Sequence, residues 1–132
     1  MTAVFTSLDD LRAAAGADLG ASAWVEVGPE QVERYAAATG DPGATYLALA
    51  LTNRLMPELI AVPAASLGVN YGTGPVRLGP PPAAGARLRA TARLVACDDV
   101  AGGVQTTIRV TIEVEGGDEP ACVVDALSRW LA

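Results

Sequence analysis

Asp41 is the one carboxylate in the stretch TGDPGATYLALALTNRL, Thr39 to Leu55, and none of the 132 residues is a histidine. A lone aspartate can still serve as a general base, or it can simply orient a substrate. Five residues on, Tyr46 carries a hydroxyl that can donate to a substrate carbonyl near neutral pH. Lysine is missing as well: all nine positive charges are arginines. Together these absences exclude a Ser-His-Asp triad, a Cys-His pair, a Schiff-base lysine, a P-loop lysine and a histidine metal site. Proton transfer falls to Asp, Glu, Tyr, Cys or a chain terminus.

Each of these residues also has a plainer role. Asp41, between Gly40 and Pro42, suits a turn or the cap of a following helix. Tyr46 suits a core aromatic whose hydroxyl is hydrogen-bonded. Asn70 and Tyr71 interrupt an apolar strand, and a buried amide there must pair with a loop or a ligand. Asn53 and Arg54 interrupt an apolar helix and can face solvent or a second chain. Leu55, Met56 and Trp24 fit a core or the lining of a pocket. Arg87, Arg89 and Arg93 alternate along a strand and read as a solvated face rather than a phosphate clamp. Cys97 and Cys122 have no histidine to help them bind zinc, and read as small buried hydrophobes in a reducing compartment. No metal and no cofactor is expected.

The elements that position these residues follow from hydrophobic period. SLDDLRAAAG reads as a short helix capped by Ser7 and stopped by Gly16. AWVEV, 23–27, alternates as a strand does. GPEQVERYAAATG reads as a helix with Pro29 in its first turn and Gly40 at its stop. TYLALALTNRLMPELIAV is apolar nearly all round, which predicts a buried helix ended or kinked by Pro57. SLGVNYG is a further strand near 65–72, and GTGP (72–75) and GPPP (79–82) read as loops, the former too short for a phosphate fingerprint.

Three long alternating runs close the chain. Leu88, Ala90, Ala92 and Leu94 share one face of the first, and Val104, Ile108, Val110, Ile112 and Val114 one face of the second; PACVVDALSRWLA is the third. DDVAGG and EGGDE supply hairpin turns. An antiparallel meander with one apolar face needs a cover, so the expected fold is one α+β hotdog domain over 1–132, a curved sheet wrapped around a buried central helix. Such a chain leaves a sheet edge open, and a homodimer is expected. The net charge of −6, without a basic cluster, argues against nucleic acid and anionic membrane partners. No apolar run is long enough to span a bilayer, and the N-terminal stretch carries acids where a signal peptide carries basic residues, so a soluble cytoplasmic protein is expected.

AWVEVGPEQVERYAAATGDP, YLALALTNRLMPEL, LGVNYGTGPVRLGPPPAAGARLRATARL and VQTTIRVTIEVEGGDEPACVVDALSRW resemble, in order and spacing, successive segments of the MaoC-like and NodN-like dehydratases, the R-specific enoyl-CoA hydratases. The resemblance covers nearly the whole chain and implies the hotdog fold. In that family the motif Asp-x-x-x-x-His activates water, and a backbone N–H at the start of the central helix stabilises an enolate. Asp41 stands at the family's aspartate, but the histidine position holds Tyr46. The family's lid segment with its His-Gly pair is reduced here to Pro42–Ala44, which puts Thr45 at the oxyanion-hole glycine. Loss of one member of such a unit typically lowers the rate by about 10²–10⁴, so ordinary enoyl-thioester hydration is not expected.

Three functions are then open. One is a repurposed enzyme: a cyclase or isomerase that folds a polyketide- or polyene-type substrate for a reaction such as an intramolecular cycloaddition, which gains mainly from orientation. Its residues would be Asp41 and Tyr46 as catalytic groups, with Thr45, Asn53, Met56, Asn70 and Tyr71 binding a small hydrophobic substrate, free or as a thioester. The second is a non-catalytic subunit partnering an active hydratase. The third is a residual hydratase or isomerase working through Asp41.

Overall fold

A computed structural model describes residues 2–132. Strand β1 (Ala3–Val4) forms a short parallel ladder with β4 (Ile60–Ala61). Helix α1 (Leu8–Ala13) begins where the Ser7 hydroxyl accepts the Asp10 N–H at 3.0 Å, and it buries Leu11. Strands β2 (Asp18–Ala21) and β3 (Val25–Glu26) both pair with β6 (Arg87–Val100). The strand expected over 23–27 is thus only two residues long, and β2 precedes it without a marked alternation in the sequence. Helix α2 (Pro29–Thr39) starts at its proline and ends at Gly40, whose φ of 72° is left-handed. No residue of α2 is fully buried, so it lies on the surface.

The main sheet runs in the order β2-β6-β7-β8-β5, with β5 (Leu67–Leu78), β7 (Gly103–Val114) and β8 (Cys122–Leu131) antiparallel to their neighbours. Its inward face is the one read from the alternation: Leu88, Ala90, Leu94, Val104, Ile108, Val110, Ile112 and Val124 are all at most 1% exposed. Full burial of each such valine, leucine or isoleucine side chain stabilises by about 1.5–3 kcal/mol. Thr106, a buried polar residue on that face, is satisfied: its hydroxyl accepts the Trp130 indole N–H at 2.9 Å and faces the Ser128 carbonyl at 3.4 Å. On the outward face Arg87 pairs with Glu115, Arg89 pairs with Glu113 and stacks on Trp24, and Arg109 grips Asp125 with two hydrogen bonds. That face is a solvated charge ladder, and Trp24 serves it rather than the core. Cys122 is buried and Cys97 half-buried.

Helix α3 (Leu47–Leu55) lies against this sheet, as expected of an α+β hotdog. It is not covered all round: Leu47, Ala48, Leu51, Thr52 and Leu55 are buried, while Ala50, Asn53 and Arg54 are exposed. Pro57 ends it, as expected, in a single 3₁₀ turn over Met56–Glu58. GTGP is not a loop. It lies within β5, where register shifts between Asn70 and Gly72 and between Thr73 and Val76 absorb its glycines and proline. Proline is tolerated there because β5 is an edge strand. No helix among the described residues is long and apolar enough to cross a membrane.

Candidate functional site

The site residues read from sequence fall into two places at opposite ends of α3. At its start, Asp41 is half-buried and closes a tight turn. Its Oδ1 accepts the Gly43 N–H at 3.1 Å and its Oδ2 accepts the Thr45 N–H at 2.7 Å. The Asp41 N–H is held in turn by the Thr39 hydroxyl at 3.2 Å. Ala44 completes the turn in the left-handed region, φ 49°, while being 3% exposed. An alanine pays on the order of 1–2 kcal/mol for that conformation, and the aspartate bonds on either side of it offset the strain. Thr45 is exposed, and Tyr46 is 55% exposed with no hydrogen bond from its hydroxyl among the described residues.

The second place is a groove between α3 and strands β5 and β8. About two helical turns beyond Tyr46, or roughly 10 Å, Asn53 accepts a hydrogen bond from the Asn70 side-chain amide at 3.0 Å. These two and Met56 line a hollow of about 230 Å³ with Leu49, Thr52 and Ser128. A second hollow of about 370 Å³ adjoins it, shares Asn53, Met56, Asn70 and Ser128, and extends to Trp130. No charged side chain lines either hollow. Tyr71 is not among their residues: it lies under the Arg129 guanidinium, 3.7 Å from ring centre to carbon, on the outward side of β8.

The structure therefore joins Asn53, Met56 and Asn70, and sets Asp41, Thr45 and Tyr46 apart from them. It adds Thr52 and Ser128, which the sequence analysis passed over. Both left a trace. Thr52 is a hydroxyl inside an apolar helix, and Ser128 continues the inward series Cys122, Val124, Ala126.

At the level of the whole chain, the 3-hydroxyacyl-thioester dehydratase Z of Mycobacterium tuberculosis is 38% identical over 148 aligned positions, covering 97% of this chain and 98% of the relative. The chain belongs to the MaoC-like dehydratase family. A MaoC-like dehydratase from Rhodospirillum rubrum superposes with a TM-score of 0.73 at 18% identity, over 96% of this chain and 97% of that one. A structure of the ChsH1-ChsH2 complex from Mycobacterium tuberculosis matches with a TM-score of 0.57 at 18% identity, over 88% of this chain and 97% of that one. Both carry the hotdog fold. No protein-family model matches the sequence. The 148 aligned positions exceed the 132 residues by 16, so at least that many positions of the dehydratase have no counterpart in this MaoC-like chain.

Proposed function

We propose that this chain is a dehydratase-family subunit that holds an acyl thioester in the α3–β5 groove without adding or removing water itself. The observation that carries the reading is the state of Asp41. Its two carboxylate oxygens hold the Gly43 and Thr45 N–H groups. By the family resemblance, the Thr45 N–H is the donor that should face an enolate, and Asp41 is the base that should face water. Here the two are bonded to each other, and no histidine stands by to complete the relay. We place the missing positions in the short turn between α2 and α3, where the family carries its lid.

An acyl ligand suits what remains. The M. tuberculosis relative is named for 3-hydroxyacyl thioesters, and the groove is long, uncharged and mostly apolar. It is also open, because β5 ends the sheet and one side of α3 is bare. A second hotdog chain aligned along β5 would close it. That chain can be a second copy or a catalytically complete relative, and the existence of a two-protein ChsH1-ChsH2 complex favours the latter in this family. The cyclase reading draws no comparable support, since folding a large polyene calls for an enclosed pocket reached by Asp41 or Tyr46.

The test is to incubate the purified chain with enoyl and 3-hydroxyacyl thioesters and follow both absorbance and binding heat. Binding with no turnover is the expected result. Hydration that disappears in Asp41→Asn would overturn it in favour of a residual hydratase.

A further inference from the structure

We propose that the Trp130 indole is the contact for the far end of the acyl chain, so that the groove favours long straight alkyl tails over short ones. This rests on the acyl-thioester reading above. The two hollows share Asn53, Met56, Asn70 and Ser128 and so run into one another. Beyond that common stretch the second hollow, about 370 Å³, is bounded by Pro57, Ile60, Gly68, Val69 and Trp130. None of these is charged, and the indole N–H is the one polar side-chain group among them. At the other limit of the groove stands Ala50, whose N–H bonds the Tyr46 carbonyl at 2.9 Å, one turn from the start of α3. The groove therefore has a direction. A thioester finds polar partners only toward α3's start and middle, and the apolar Trp130 end is left to the tail. From Leu49 to Pro57 the chain advances about 12 Å at ~1.5 Å per residue, the length of an extended alkyl chain of about ten carbons.

Trp130 presents hydrocarbon to that end. Its N–H is already donated to the buried Thr106 hydroxyl at 2.9 Å, on the β7 side. An indole has no other polar group, so a tail laid on the ring strands nothing, and the same bond holds the ring in place. On the β5 side the ring lies against Gly68, its direct partner across the β5–β8 ladder. A methyl on Gly68 would come within 3.0 Å of Trp130 Cζ3 and 3.3 Å of Cε3. Gly68 does not take a left-handed φ, so its backbone does not call for glycine. What the missing side chain provides is room at the benzene edge of the indole. Gly68 is exposed and Trp130 half-buried, and both line the hollow. An alkyl tail placed there covers ring carbons that β5 leaves bare, and each methylene so buried tightens binding by about two- to fourfold.

The experiment is calorimetric titration of the purified full chain with hexanoyl, octanoyl and decanoyl N-acetylcysteamine thioesters. The decanoyl ligand should bind at least about tenfold more tightly than the hexanoyl one. Gly68→Val, which occupies the room beside the ring, should cut that ratio to about threefold or less without weakening the hexanoyl ligand. A second measurement leaves the groove unaltered. Trp24→Phe makes Trp130 the sole tryptophan, and the decanoyl ligand should move its fluorescence to shorter wavelength while the hexanoyl ligand does not. Equal binding of the three ligands, or affinity that rises with length while Trp130 emission stays fixed, overturns this inference and leaves the acyl-thioester reading standing. Binding of none overturns both.

Discussion

Asp41 braces the turn that leads into α3, and its contribution to stability is separable from any role in chemistry. Its carboxylate holds two backbone N–H groups around a left-handed alanine. Each such hydrogen bond contributes about 0.5–1.5 kcal/mol, and one to a charged group somewhat more. Asp41→Ala should therefore lower the thermal midpoint by several degrees, while Asp41→Asn, which keeps one acceptor oxygen for the two N–H groups, should fall between it and the parent. Thermal denaturation of the two variants checks this, and an Asp41→Ala variant as stable as the parent would remove the brace from the account. Ala44→Gly should act in the opposite sense. It relieves the strain at φ 49° but enlarges the freedom of the unfolded chain, so the gain should stay under about 1 kcal/mol.

Among the elements, β5 and the β7–β8 hairpin carry the sharpest expectations. Gly103 opens β7 where a Cβ would collide with the Trp130 carbonyl of β8. Backbone cannot yield as a flexible side chain can, so Gly103→Ala should destabilise the sheet by more than 1 kcal/mol, read by chemical denaturation. Strand β5 exposes Leu67 and Tyr71, each 54%, along an edge with no partner beyond β8. Charges on an edge strand oppose strand addition. Where a second copy pairs along β5, a Leu67→Lys, Tyr71→Lys double variant should shift the solution mass from dimer to monomer, measured by light scattering. A dimer that survives both lysines would move the interface away from β5, and a parent chain that is already a monomer would leave β5 to a different partner.

For the whole molecule, two thiols and no histidine set the response to pH and oxidation. Burial pushes both the Cys97 and Cys122 thiols up from their ordinary range, with Arg12 pulling Cys97 partly back. Both thus hold their protons more tightly folded than unfolded. That contribution is fully present below the ordinary thiol pKa and is lost as pH rises through the raised folded value. Stability should decline on the alkaline side, above about pH 8.5. A thiol-reactive disulfide reagent should label Cys97 slowly and Cys122 only after unfolding. Rapid labelling of Cys122 in the native protein would contradict its burial.

Much of this was legible in the residues alone. The period-two runs in 86–96 and 104–114 name the buried face almost residue by residue, because alternation leaves a strand only two faces. Pro29 and Gly40 bound α2 through constraints local to the backbone. The lack of histidine ruled out whole classes of chemistry without any structure. Other features needed the fold. GTGP reads as a loop until β8 is there to hydrogen-bond it, and β2 shows its strand only against β6. Asn53 and Asn70 are 17 residues apart, and nothing in composition says that their side chains meet. That Asn70 is the one turned to the groove and Tyr71 the one under Arg129 is decided by the pairing of β5 with β8, because alternation separates two faces without saying which is inner. Thr52 looks like one more helix residue until its hydroxyl is found buried with no partner. Sequence by itself determined the fold class and the catalytic constellations this chain cannot build, because backbone periodicity and residue type act locally. Tertiary structure alone decided which polar groups share a groove and which bond each other, because that depends on contacts between segments distant in the chain.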